Sequence, residues 1–91
     1  MALVHKNITI QGKVQGVYFR ASAKHIADQS GVKGIVQNKP GGAVYAEAEG
    51  EADAVEKFIS WCNTGPAAAK VFSVEVTDGL LKGYEDFNVI R

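Results

Sequence analysis

Apolar residues along this chain recur first at every second position, then at every third and fourth, and that exchange of periods happens twice within 91 residues. A period of two marks a strand with one buried face, and three- and four-residue spacing marks a helix with an apolar stripe. In residues 4–11 (VHKNITIQ), Ile8 and Ile10 alternate with Asn7, Thr9 and Gln11, which predicts a half-buried strand. From Phe19 to Ser30 the small or apolar residues Phe19, Ala23, Ile26, Ala27 and Ser30 share one helical face, and Gly31 follows as a C-cap. Residues 32–38 read as a second strand and residues 39–42 (KPGG) as a turn. Residues 43–49 form the returning strand, with Val44, Ala46 and Ala48 inward and Tyr45, Glu47 and Glu49 outward. Asp53 and Glu56 have the spacing of a capping box, ahead of a helical face of Val55, Phe58, Ile59 and Cys62 that Gly65 and Pro66 terminate. Residues 71–77 and 87–90 complete the set as strands. This order predicts one α+β domain over residues 1–91, a ferredoxin-like βαββαβ sandwich. Its antiparallel sheet carries two helices on one face and a short C-terminal strand.

Composition narrows what such a domain does. Ten basic and ten acidic residues give no net charge and are dispersed along the chain. Binding a nucleic-acid backbone needs a basic face, so nucleic acid is not an expected partner. No stretch approaches the ~20 apolar residues of a membrane span, and residues 1–6 lack the apolar run of a signal peptide. The lone Cys62 excludes an internal disulfide framework and a multi-thiolate metal site. A cytoplasmic monomer with no metal and no cofactor is the expectation.

The segment with chemical content is Gly12-Lys13-Val14-Gln15-Gly16-Val17-Tyr18-Phe19-Arg20, between the first strand and the first helix. A strand that ends in glycines and enters a helix leaves several backbone N–H groups unpaired, and the helix N-terminus adds partial positive charge. Arg20, one of only two arginines against eight lysines, sits in the first helical turn. There a guanidinium can fork onto the same anion with two charge-assisted bonds. Most glycine-rich turns are only turns, so these residues alone leave a plain turn and an anion site both open.

The same segment, preceded by Ile10 and Gln11, matches without exception the first signature of the acylphosphatase family, apolar-x-G-x-V-Q-G-V-x-F-R. The family's second signature is a hairpin that opens Gly-aromatic-apolar, continues with a polar residue and Asn, and turns through glycine to valine. Here it reads Gly34-Ile35-Val36-Gln37-Asn38-Lys39-Pro40-Gly41-Gly42-Ala43-Val44, with Gly50 also in place. Tyr84-Glu85-Asp86-Phe87-Asn88-Val89-Ile90 resembles the family's last strand. Ile35 in an aromatic position and Gly41 in a slot often held by aspartate depart from the pattern, both at structural positions. The resemblance implies hydrolysis of a small-molecule acyl phosphate. Arg20 and the backbone N–H groups of Gln15, Gly16, Val17, Tyr18, Phe19 and Arg20 would hold the phosphate, and the Asn38 side chain would hold the attacking water.

Other residue types read as structural. His25 falls on the polar side of its helix and His5 near the N-terminus is surface, with no metal-ligand spacing between them. Cys62 is a small core filler, Trp61 beside it is partly exposed, and Glu47, Glu49 and Glu51 form a solvated strand edge. The competing function is a non-catalytic ferredoxin-like module that binds phosphate or RNA, because this fold also hosts RNA recognition. An RNA module would stack bases on aromatics of its central strands, where this chain offers only Tyr45.

Overall fold

The computed structural model describes residues 2–90. Its elements in chain order are β1 (Leu3–Lys13), α1 (Phe19–Ser30), β2 (Lys33–Asn38), β3 (Val44–Glu51), α2 (Ala52–Cys62), β4 (Lys70–Asp78) and β5 (Phe87–Ile90). They form a five-stranded sheet in the order β4-β1-β3-β2-β5. The four longer strands pair antiparallel, as the two helical crossovers and the hairpin require. The short β5 differs, adding parallel to β2 and making the sheet mixed.

Both helices cover one face. Ile8 and Ile10 of β1, Val36 of β2 and Val44, Ala46 and Ala48 of β3 point to that face and are buried, as period-two alternation dictates. Phe19, Ala23 and Ala27 of α1 and Val55, Phe58 and Cys62 of α2 meet them to form the core. Phe58 tilts against Phe87 with ring centroids 5.4 Å apart, which ties α2 to β5. Trp61, half-buried, lies 5.1 Å from the Phe19 ring and so braces the start of α1. His25 is exposed and Cys62 is buried, as their helical positions predict.

Helix α1 starts and stops where the sequence pattern places it. Gly31 caps its end, donating its N–H to the Ala27 carbonyl. Helix α2 departs from the expected capping box. β3 runs straight into it, so Glu51 occupies the N-cap and Asp53 lies inside the first turn, with no side chain bonding the first-turn N–H groups. Gly34 of β2 sits opposite Ala48 of β3 with φ +148°, and a Cβ there would stand 1.8 Å from the Glu47 carbonyl oxygen. No other residue fits.

The opposite face overturns two expectations. Glu47 and Glu49 do alternate away from the helices, yet they are buried, at 6% and 7% exposure, and His5 is buried beside them at 3%. The covering chain is the segment between β4 and β5. Glu49 Oε1 accepts the Lys82 backbone N–H at 2.7 Å, and Oε2 accepts those of Gly83 and Tyr84, each at 2.9 Å. His5 Nδ1 lies 2.9 Å from Glu49 Oε1, and its Nε2 lies 3.2 Å from Glu47 Oε1. Glu47 also accepts from the Lys82 ammonium and from the hydroxyls of Tyr45 and Tyr84. Burial alone pushes both carboxyls up, but these donors outweigh it and hold each below the ordinary value of 4.5. Burial together with the neighbouring Glu47 carboxylate pushes the Tyr45 hydroxyl up to about 12.

Candidate active site

Between β1 and α1, residues 14–18 fold into a loop pinned by its own apolar side chains. Val14 and Val17 are buried at 1% and 6% exposure, and Phe19 at 1% anchors the first helical residue in the core. Gly16 (φ +74°) and Tyr18 (φ +63°) both take left-handed backbone. For tyrosine that conformation costs roughly 1–2 kcal/mol, a cost the buried valines and Phe19 offset by fixing the chain on either side.

Tyr18 is also the N-cap of α1, and it lacks a short side-chain acceptor. No side chain caps the helix, its first turn holds no acidic residue, and the first backbone bond after the loop runs from Ser22 N–H to the Tyr18 carbonyl at 3.0 Å. Among the described residues, the N–H groups of Gln15, Gly16, Val17 and Tyr18 donate to no backbone carbonyl. An uncapped helix N-terminus continuous with a left-handed loop presents donors and partial positive charge to an anion.

These groups border a cleft of about 440 Å³ lined by Val14, Gly16, Tyr18, Phe19, Arg20, Ala21, Asn38 and Val89. Four of the six residues expected to supply phosphate-binding amides therefore reach it, Gly16, Tyr18, Phe19 and Arg20, together with Asn38. Gln15 and Val17 are not among the lining residues. Arg20 Nη1 donates to the Ile90 carbonyl at 3.4 Å, a long contact, and among the described residues the guanidinium has no other hydrogen-bond partner. Asn38, the exposed last residue of β2, comes to the cleft from across the sheet, 18 positions further along the chain than Arg20 (38 − 20).

Two features of the cleft lay outside the expectations from sequence. Val89 and the Ile90 carbonyl belong to β5, whose parallel seat beside β2 brings the chain's end to the cleft. The Gln15 side chain turns from the cleft to the β2–β3 turn, donating from Nε2 to the carbonyls of Lys39 at 2.8 Å and Ala43 at 2.9 Å. The glutamine in the first signature was the available signal, but only the folded hairpin supplies its partners.

The acylphosphatase family model matches residues 6–89, nearly the whole chain. The chain belongs to the acylphosphatase family. An acylphosphatase of Gloeobacter violaceus is 44% identical over 88 residues, covering 97% of this chain and 95% of that protein. The crystal structure of acylphosphatase from Bacillus subtilis superposes with a TM-score of 0.94 at 32% identity, over 99% of this chain and all of that one. An acylphosphatase structure from Coxiella burnetii gives a TM-score of 0.93 at 34% identity, over 97% and 93% of the two chains. The likeness to acylphosphatases thus spans the cleft and both helices as well as the two signature segments.

Proposed function

We propose that the chain is an acylphosphatase, hydrolysing the carboxyl–phosphate bond of acyl phosphates to a carboxylate and inorganic phosphate. The observation that carries this reading is the convergence of Arg20, the uncapped start of α1 and Asn38 on one cleft. Arg20 and the N–H groups of residues 15–20 grip the phosphate. Phosphoryl transfer asks a protein mainly for positioning and charge stabilisation, because the transition-state charge lies on three equatorial oxygens. An arginine fork with a row of amides supplies both.

Asn38 orients the water. Its carbonyl oxygen accepts a hydrogen bond from the water and its NH₂ donates one to a water lone pair, whereas a neutral carboxamide has no useful proton affinity with which to act as a base. The water oxygen forms the new bond to phosphorus, and the bond from phosphorus to the acyl oxygen breaks with its electron pair left on the carboxylate. One water proton passes to a phosphate oxygen of the substrate. The departing carboxylate has a conjugate-acid pKa near ~4, so no general acid has to protonate it. The same argument leaves the reaction without need of a metal or cofactor. Every group invoked comes from one chain, which supports a monomer as the working unit. The lone buried thiol of Cys62 fits a reducing cytoplasmic setting. Among the described residues no helix is long and apolar enough to cross a membrane.

Hydrolysis of an aryl acyl phosphate, measured beside a phosphate monoester with chelator present, tests the reading. Turnover of the acyl phosphate alone is expected, with inorganic phosphate as a competitive inhibitor. Dependence on added metal, or equal turnover of the monoester, would contradict it.

A further inference from the structure

We infer that Gln15 is a positioning residue, whose side-chain amide sets the distance between the phosphate loop and Asn38; this rests on the acylphosphatase reading above. The two halves of the cleft come from separate parts of the chain. The loop and Arg20 follow β1, whereas Asn38 ends β2 and enters the turn that leads to β3. The strands fix these pieces only to within the give of their ends. β1 pairs with β3 as far as Ile10↔Val44 and with β4 as far as Lys13↔Lys70, and β2 with β3 as far as Asn38↔Val44, so no ladder rung joins the loop to the turn that carries Asn38.

The Gln15 side chain spans that gap. Its Nε2 donates to the carbonyl of Lys39, the residue directly after Asn38, at 2.8 Å, and to the carbonyl of Ala43 at 2.9 Å. These are the two ends of the turn. The Lys39 N–H already donates to the Ala43 carbonyl at 2.8 Å, and the Gly42 N–H to the Lys39 carbonyl at 3.3 Å. One NH₂ group therefore bridges both carbonyls that close the turn carrying Asn38. Both partners are acceptors only, so the amide has a single orientation that satisfies them, with its nitrogen toward the turn. A carboxylate of the same length would repel both carbonyls, and a methylene-rich side chain would make neither bond.

The division of labour predicts a specific kinetic signature. The substitutions leave the Gln15 backbone N–H in place, and buried Val14, Val17 and Phe19 pin the loop that carries it, so losing the side-chain bonds loosens the turn but leaves ground-state anion affinity in place. In-line attack depends on where Asn38 holds the water, and misplacement by about 1 Å costs on the order of 10²-fold in rate. Gln15→Leu and Gln15→Glu are therefore expected to lower kcat by about 10- to 100-fold, while the inhibition constant of inorganic phosphate changes less than about twofold.

The deciding experiment is a double-mutant cycle on a simple aryl acyl phosphate, comparing wild type, Gln15→Leu, Asn38→Ala and the double variant well below their melting temperatures. If Gln15 acts through Asn38, adding Gln15→Leu to Asn38→Ala lowers kcat no further. Additive losses, an unchanged kcat in Gln15→Leu, or a loss confined to phosphate affinity or melting temperature would overturn the inference. An unchanged kcat in Asn38→Ala would instead refute the orienting role of Asn38 itself, and so separates the failure of that reading from the failure of this one. Gln15→Glu gives a second route should Gln15→Leu fold poorly, because it keeps a polar side chain of the same length.

Discussion

Replacing Glu49 by glutamine removes one carboxylate oxygen from a site built on three backbone N–H donors. In the wild type, Oε1 takes the Lys82 N–H and faces His5 Nδ1, and Oε2 takes the N–H groups of Gly83 and Tyr84. An amide keeps one oxygen: turned toward Lys82 it leaves the Gly83 and Tyr84 N–H groups facing an NH₂, and turned the other way it leaves the Lys82 N–H facing one. Each orphaned buried donor costs about 1–3 kcal/mol, so one or two of them put the loss at roughly 1–6 kcal/mol. That is a large share of the ~5–15 kcal/mol that holds a domain together. With a urea slope of about 2 kcal/mol/M, a mid-range loss moves the unfolding midpoint down by roughly 2 M at pH 7, followed by Trp61 fluorescence. The pH dependence carries a second check. The Glu49 carboxyl is held below its unfolded value, so its stabilisation is complete above that value, near 4.5, and disappears as pH falls through the folded value. The gap between wild type and variant should therefore close on acidification from pH 7 toward pH 3. A midpoint shift under about 0.5 M at pH 7, or a gap that persists unchanged into acid, would refute the reasoning. Turnover below the melting range should survive, since this cluster lies on the sheet face away from the helices.

Other perturbations read separate parts of the molecule. Gly34→Ala places a methyl 1.8 Å from the Glu47 carbonyl oxygen and should destabilise by more than about 4 kcal/mol, seen as loss of cooperative unfolding by circular dichroism; a native-like midpoint would mean that the β2–β3 approach is wrong. Burial pushes the Cys62 thiol up to about 12, so a thiol reagent at pH 8 should leave the native protein unlabelled and label one equivalent in denaturant. Fast native labelling would place Cys62 outside the core.

Local signals carried the sequence reading furthest. Helix α1 was legible to the residue because its ends are set by neighbours in the chain, the loop before Phe19 and Gly31 after Ser30. Arg20 and Asn38 were legible through the two signature segments, and the fold brings both to one cleft. What escaped depends on contacts far apart in sequence. Alternation in β3 correctly turned Glu47 and Glu49 away from the helices, but outward was equated with solvated. The covering segment around Lys82, Gly83 and Tyr84 has no periodicity, and it lies more than 30 residues along the chain from Glu49. His5 was misplaced for the same reason, since its carboxylate partners lie on β3, which only pairing with β1 brings close. Four residues of β5 announce a strand but not its neighbour or direction. The Gln15 contacts bridge 24 and 28 positions, a span that no local pattern encodes.

Arg20 decides the central claim, because the proposed mechanism makes its guanidinium the charge that meets the phosphate. Steady-state hydrolysis of an aryl acyl phosphate by folded Arg20→Ala should show kcat/KM reduced by at least about 10²–10³, with inorganic phosphate no longer competing at concentrations that inhibit the wild type. Wild-type turnover by that variant, its circular dichroism and unfolding midpoint intact, would contradict the account.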